Sequence, residues 1–318
     1  MKLPHRRQFL HLAAGAAALS MVPLCAEAAT LTVDCDAGEK IQEKLTVARP
    51  GDEIMVSGTC NENVQIYSEI VRITLNGQGK ATVQVPSMMP GTPPAFPIFI
   101  RGKEITVKGF TFIGGLDGVH LSGAAAGASA IIENNFIRRT ARFGIHIDSG
   151  SVAQIANNRI EEVGAAGIDI IEHSVARIGF LVPAQPALGP NIIRNAGAEG
   201  IAVSRASSAW IIGNTVTGSK ASGILISRNS QADILANAIN GNGGDAVTAA
   251  YSSGINFTSD GTPRREGPNK TDPQEKNGGF GVRCMVGGHV AGPLGTLIGM
   301  KGVKDFDNTC IDKMLLPN

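Results

Sequence analysis

Asn135-Phe136-Ile137-Arg138-Arg139-Thr140-Ala141-Arg142-Phe143-Gly144-Ile145-His146-Ile147 is answered 23 residues later by Asn158-Arg159-Ile160-Glu161-Glu162-Val163-Gly164-Ala165-Ala166-Gly167-Ile168-Asp169-Ile170. In both stretches an Asn is followed nine residues on by a Gly that opens a short apolar run. The pattern returns at Asn191/Gly200 before Ile201-Ala202-Val203 and at Asn214/Gly223 before Ile224-Leu225-Ile226, and Asn237 starts another copy. Most steps are 23 residues; the step from Asn158 to Asn191 is 33, because that unit holds a Pro- and Ala-rich loop around Phe180–Leu188. A fixed period of this size is the mark of a stacked solenoid.

The units carry β-branched runs of three to five residues broken by Gly and Asn, not the paired amphipathic helices of a helical repeat. Ile131-Ile132, Ile155, Ile211-Ile212 and Ile234-Leu235 read as one strand of the unit. Ile137, Ile160, Ile193, Val216 and Ile239 begin a second, and Gly-Ile-x-Ile is a third. Three short strands per turn with the next copy stacked above make an all-β parallel β-helix rising about 4.8 Å per coil. Equivalent residues then fall in columns. Asn suits a corner column because it tolerates left-handed backbone and its amide can bond to the Asn above. The Gly before the third strand is expected at positive φ.

The motif Ile-x-x-Asn-x-Ile followed by Gly-Ile-x-Ile resembles the right-handed parallel β-helix proteins of the pectate-lyase-like superfamily, over roughly Leu31 to Val290. Ile105-Thr106-Val107-Lys108-Gly109-Phe110-Thr111-Phe112 looks like the first recognisable coil, with Phe110 in the place of the Asn. The resemblance implies one elongated domain. It divides into an N-terminal cap and first coils (29–104), regular coils (105–257), and a polar loop with a C-terminal cap (258–318). The fold carries lyases, hydrolases, epimerases and non-catalytic adhesive proteins, so function has to be read from the site.

With 28 basic and 27 acidic residues the chain has a net charge of +1, and it has no basic run beyond its N-terminus, which argues against nucleic acid as a partner. Residues 1–28 read as an export signal. Lys2, His5, Arg6 and Arg7 precede the apolar stretch Leu10–Leu24, which ends at Ala26-Glu27-Ala28, and Arg6-Arg7-Gln8-Phe9-Leu10 resembles the twin-arginine motif of bacterial Tat signals. The apolar stretch is too short to span a membrane, which takes about 20 residues. A periplasmic or secreted monomer, with no membrane partner, is the expectation. Beyond the signal the cysteines are Cys35, Cys60, Cys284 and Cys310, an even set without Cys-x-x-Cys spacing, which favours disulfides over metal ligation. Two lie before the repeats and two after, so Cys35–Cys60 and Cys284–Cys310 are the pairs expected to secure the two ends. Gly38–Leu45 reads as a short helix that plugs the first coil with Ile41, Leu45 and Ala48.

In Gly-Ile-x-Ile the apolar residues point inward and x outward. Reading x up the stack gives His120, His146, Asp169, Ala202 and Leu225, so two His and an Asp are expected as an exposed ladder with Arg142 nearby. A longer turn around Ala124–Ala128 has to absorb the 26-residue step from Gly118 to Gly144. Asp148, Glu172, His173 and Arg139 are placed around the ladder as substrate-binding residues, and Arg138 and Arg159 come from neighbouring turns. A His and carboxylate ladder with Arg beside it suits proton abstraction α to a uronate carboxylate, the task of a polysaccharide lyase or epimerase. In that reading His146 is the base, His120 and Asp169 support it, and Arg142 meets the substrate carboxylate. His146→Ala is then expected to abolish activity with little effect on unfolding. The rival reading is a non-catalytic glycan-binding or cell-envelope scaffold with a satisfied surface ladder. No cofactor is required. The resemblance raises calcium, but Asp117, Asp148 and Asp169 look too scattered to form its acidic cluster, and no metal ligands are assigned. The hydrolase motifs Asn-Thr-Asp, Asp-Asp and Gly-His-Gly and the epimerase motif Asp-Pro-His-Asp are absent, so no family's catalytic set carries over intact.

Overall fold

A computed structural model describes residues 28–85, 95–124, 127–179, 189–257 and 267–315. The expected export signal up to residue 27, the loop 180–188 and the start of the polar loop (258–266) lie outside the described residues. Within them the chain is a right-handed parallel β-helix, all-β but for one turn of helix. One sheet stacks ten third-position strands, from Val64–Ile66 through Val119–Ser122, Ile145–Asp148 and Ile168–Ile170 to Gly302–Phe306. The other strands form an 18-stranded sheet in two columns that meet at the Asn corner. Every strand pair along the stack is parallel, with one register shift between Asn76 and Ala81, and the regular coils are in register: Ile145 lies beside Ile168, and Ile168 beside Ile201. The repeat leads one to expect at least seven coils, and ten strands stack on this face.

Columns of Ile fill the interior. Ile137, Ile160 and Ile193 from the second strands and Ile145, Ile168 and Ile201 from the third are fully buried. At the corner, Asn135, Asn158, Asn191, Asn214 and Asn237 form the expected column, and Asn269 extends it. Each side-chain amide donates to the carbonyl oxygen of the next Asn, at 2.9–3.1 Å. That same oxygen also accepts the backbone N–H of the Asn below. Phe110, in the Asn position of its coil, gives its backbone N–H to Asn135 and so ends the ladder. The ladder lies inside the turn, with every member nearly inaccessible. Left-handed backbone falls on the residue before it instead: Asn134, Asn157, Gly213 and Ala236 have φ of 58°, 56°, 74° and 57°. A second internal ladder, Ser151–Ser174–Ser207–Ser230–Ser253, closes the next corner by the same logic, each hydroxyl oxygen from Ser174 onward accepting the backbone N–H of the Ser below.

The Gly residues that open the third strands are not at positive φ, contrary to expectation. They are needed for close approach of the coils: a Cβ on Gly144 would be driven into Ile160 Cγ2 and the carbonyl of Gly167, and Gly167 and Gly223 repeat this against Ile193 and Ile239. Gly144→Ala is expected to cost about 1–3 kcal/mol in chemical denaturation through overpacking. Gly150→Ala meets open space and carries only the cost of its φ of 71°. Equal denaturation midpoints for wild type and Gly144→Ala would refute the packing account.

Both ends are stapled as expected. Cys35–Cys60 and Cys284–Cys310 are disulfides with Cα separations of 5.0 and 6.0 Å. Each closes a loop worth very roughly 3 kcal/mol in the chain-entropy model. The helix is shorter than expected, Ile41–Leu45, and buries Ile41 and Leu45 over the first coil. Its free N–H groups at Ile41 and Gln42 are capped by the Glu62 carboxylate, not by its own N-cap residue Lys40. The disulfides fit an oxidising compartment. No described helix is long and apolar enough to cross a membrane.

Candidate functional site

The outward column of the ten-stranded sheet runs Phe99, His120, His146, Asp169, Ala202, Leu225. Register survives the longer turn after Ser122, so His120, His146 and Asp169 do stand side by side. They are not exposed. His120, His146 and Asp169 retain 8%, 3% and 7% of their accessible surface. Alternation sets the direction of these side chains correctly, but flanking rings roof them over. Phe96 and Phe99 meet the His120 ring edge-on at 5.0 and 4.8 Å, and Phe143 stacks on His146 at 4.7 Å.

Under this cover the three aspartates converge, against the expectation that they are scattered. Arg142 holds Asp117 through two bonds of 2.9 and 2.6 Å. His120 reaches Asp117 through Nδ1 at 3.3 Å and Asp148 through Nε2 at 3.0 Å. His146 Nε2 lies 3.3 Å from the same Asp148 oxygen, and its Nδ1 lies 2.9 Å from Asp169. The cluster is therefore one chain of alternating basic and acidic side chains, Arg142–Asp117–His120–Asp148–His146–Asp169. The two Nδ1 contacts are close but angled away from a full hydrogen bond, and Asp148 Oδ1 is buried without a partner. Burial opposes a charge on His146, but its bonds to Asp148 and Asp169 and the field of Asp117 outweigh it and push its pKa up to about 9. Burial likewise opposes ionisation of Asp148 and Asp117. The imidazoles around Asp148, and Arg142 with His120 around Asp117, overcome it and hold both carboxyls below their usual range.

The other expected site residues separate. Arg142 lines the cleft while it binds Asp117 and stacks over Phe143 at 4.6 Å. Glu172 stands at the cleft edge, paired with Arg205 at 2.8 Å. His173 is exposed on the far side of the bend, and Arg139 pairs with Glu162 at a different corner, so neither belongs to the cluster. Arg138 and Arg159 lie over Phe136 on the 18-stranded sheet.

A cleft of about 450 Å³ runs from Arg142, Phe143, His146 and Asp169 along the stack to Arg205, Arg228 and Tyr251. The last three were missed from sequence although the repeat marks them. They stand five positions after the opening residue of the third strand, in the left-handed corner column Ser149, Glu172, Arg205, Arg228, Tyr251. Asp117 also carried a signal. It precedes the coil-opening Gly118 and accepts the N–H of Phe143 on the next coil, as Asp245 does for Phe280.

The stacked strands, the internal Asn ladder and the ten-stranded face bearing this cleft can be set against known proteins. Residues 118–260 match the family model described as a right handed beta helix region. No curated protein matches by sequence. Among solved structures, the alginate lyase of Paenibacillus sp. str. FPU-7 is 17% identical, with 89% of this chain and 99% of that one covered and a TM-score of 0.50. A mutant of the periplasmic alginate epimerase AlgG is 12% identical over 90% of this chain and 82% of its own, at a TM-score of 0.54. The enzymatically active domain of tailspike protein 2 from bacteriophage CBA120 is 12% identical over 91% and 47%, at a TM-score of 0.54. Identities this low establish the common fold.

Proposed function

We propose that this chain acts on an acidic polysaccharide in the cleft of the ten-stranded sheet, as a lyase- or epimerase-like enzyme exported to the periplasm or beyond the cell. The observation that carries the reading is the column of Arg205 and Arg228 on successive coils, leading to Arg142 and the buried His146–Asp169 pair. Two cations on adjacent coils, about 4.8 Å apart, suit neighbouring carboxylates of a polymer with one on each sugar. The alginate lyase and epimerase that share the fold set uronates as the first ligands to test.

Removal of the proton α to a uronate carboxylate needs that carboxylate neutralised, so that the developing charge is stabilised. Arg142 and the cationic end of the His cluster supply positive charge at one end of the cleft. The group there able to take the proton is His146. His146 is largely protonated near neutrality, so its service as base belongs to the alkaline side. β-Elimination of the O4 substituent after that step gives a lyase; return of a proton to the opposite face gives an epimerase. The self-paired cluster favours one alternative, a glycan-binding scaffold that performs no chemistry.

Incubation with polymannuronate, polyguluronate and polygalacturonate separates these outcomes. A lyase raises ultraviolet absorbance from the unsaturated product, and an epimerase incorporates deuterium from D2O at C5 without chain cleavage. Arg228→Ala is expected to raise KM about tenfold with a smaller change in kcat, as loss of a charge-assisted contact worth about 1.5 kcal/mol implies. Turnover with unchanged KM in Arg228→Ala places the substrate elsewhere. Binding without turnover on every uronan selects the scaffold.

A further inference from the structure

The Nε2 atoms of His120 and His146 converge on a single oxygen of Asp148, at 3.0 and 3.3 Å, and the three donor atoms lie within 4.8 Å of one another. Ligand atoms of a tetrahedral zinc ion with bonds of about 2.0–2.1 Å stand about 3.3 Å apart. Two of the three separations thus already match the edges of such a polyhedron, and the third, between the two Nε2 atoms, is no more than 4.8 Å. Behind each imidazole, at Nδ1, stands a further carboxylate: Asp117 for His120 and Asp169 for His146. A carboxylate at the far nitrogen is the arrangement that fixes the tautomer of metal-binding histidines and raises their basicity. With a proton on each Nδ1, the two Nε2 lone pairs and the Asp148 oxygen converge on one point, where a divalent ion can replace the protons that otherwise join the imidazoles to Asp148.

Charge and burial agree. Three aspartates against Arg142 leave two negative charges when the imidazoles are neutral, the charge one divalent ion cancels. The His146 side chain is only 4% exposed, and Asp148 Oδ1 is buried without a partner. Phe96, Phe99 and Phe143 supply an apolar wall. Two nitrogens and one oxygen select a zinc-class ion over calcium, which takes six to eight oxygens.

We infer that His120, His146 and Asp148 bind one divalent transition-metal ion of the zinc class, with a fourth position left open, and that Asp117 and Asp169 orient its two imidazoles. The site is independent of the glycan reading. A metal on His146 Nε2 removes that nitrogen as a base in the proposed reaction.

Calorimetric titration of the EDTA-stripped folded protein with ZnCl2 tests the inference. One zinc per chain is expected, with a raised Tm, no heat from CaCl2, and a tetrahedral cobalt spectrum on substitution with CoCl2. Asp117→Asn and Asp169→Asn, which keep shape, are expected to weaken zinc about 10- to 100-fold. Asp148→Asn and His120→Ala should lose more, and the exposed His173→Ala should lose nothing. Should His120→Ala fail to fold, Asp148→Asn and the two orienting variants decide. Absence of zinc binding, equal affinity in Asp148→Asn, or loss in His173→Ala overturns the site. Zinc binding without turnover on any uronan upholds it while rejecting the catalytic reading.

Discussion

Asn191→Ala is expected to lower the free energy of unfolding by about 4 kcal/mol. The Asn191 carbonyl oxygen accepts both the backbone N–H and the side-chain amide of Asn158, and its own amide donates to Ile155 O and to Asn214. The side chain is fully buried. Truncation orphans the backbone N–H of Asn158 and the amide's partner Ile155 O, each at about 1–3 kcal/mol in a site closed to solvent, and leaves the Asn158 amide only Ile132 O and Ala156 O. Asn214 keeps one partner, the backbone N–H of residue 191. Asn157, one position before the ladder, supplies the control: its amide bonds to Asn134 on the surface, so Asn157→Ala should cost under about 1 kcal/mol. Guanidinium denaturation of the two variants decides the matter. Equal midpoints would mean that the internal ladder contributes no more than the surface one.

The same ladder shows why so much of the fold was legible. Register in a solenoid is carried by spacing, and spacing is visible: Asn135 to Asn237, the Ile columns and the His120–His146–Asp169 row all followed from counting. Cysteine pairing followed from the order of the ends. Backbone conformation did not. Left-handed residues sit one place before the Asn column, and the coil-opening Gly residues answer to the side chains above them, a contact between coils that no local rule contains. Burial of the site was hidden for a related reason. Alternation says that His146 points away from the Ile core, but not that Phe143 and the Phe96–Phe99 pair cover it. Those rings come from turns and from neighbouring coils. Asp117 was set aside with Asp148 and Asp169 as too scattered to form an acidic cluster, although through Arg142 and His120 it anchors one end of the chain. Arg205 and Arg228 were missed only because the count stopped at the end of the strand; two further steps reach the corner column.

Burial reverses the expectation for His146→Ala. On an exposed ladder the substitution leaves stability nearly unchanged; in the observed cluster it should cost about 3–5 kcal/mol, because Asp148 and Asp169 lose the imidazole between them. The pH dependence gives this a second signature in EDTA-treated protein. His146 has a folded pKa of about 9 against an ordinary value of 6.5. Its contribution is therefore fully present below about pH 6.5 and is lost as pH rises towards 9, a fall of up to about 3 kcal/mol. Asp148 and Asp117 act in the opposite sense: their folded pKa values are depressed, so their contribution is present above the ordinary 3.8 and is lost on acidification. The wild-type Tm should thus peak between roughly pH 5 and 6.5 and decline on both sides. In His146→Ala the alkaline decline should flatten while the overall Tm drops. Differential scanning calorimetry across pH reads both changes at once. A wild-type Tm that stays level from pH 6.5 to 9, or a His146→Ala protein as stable as wild type at pH 6, would show that no proton is held in this cluster.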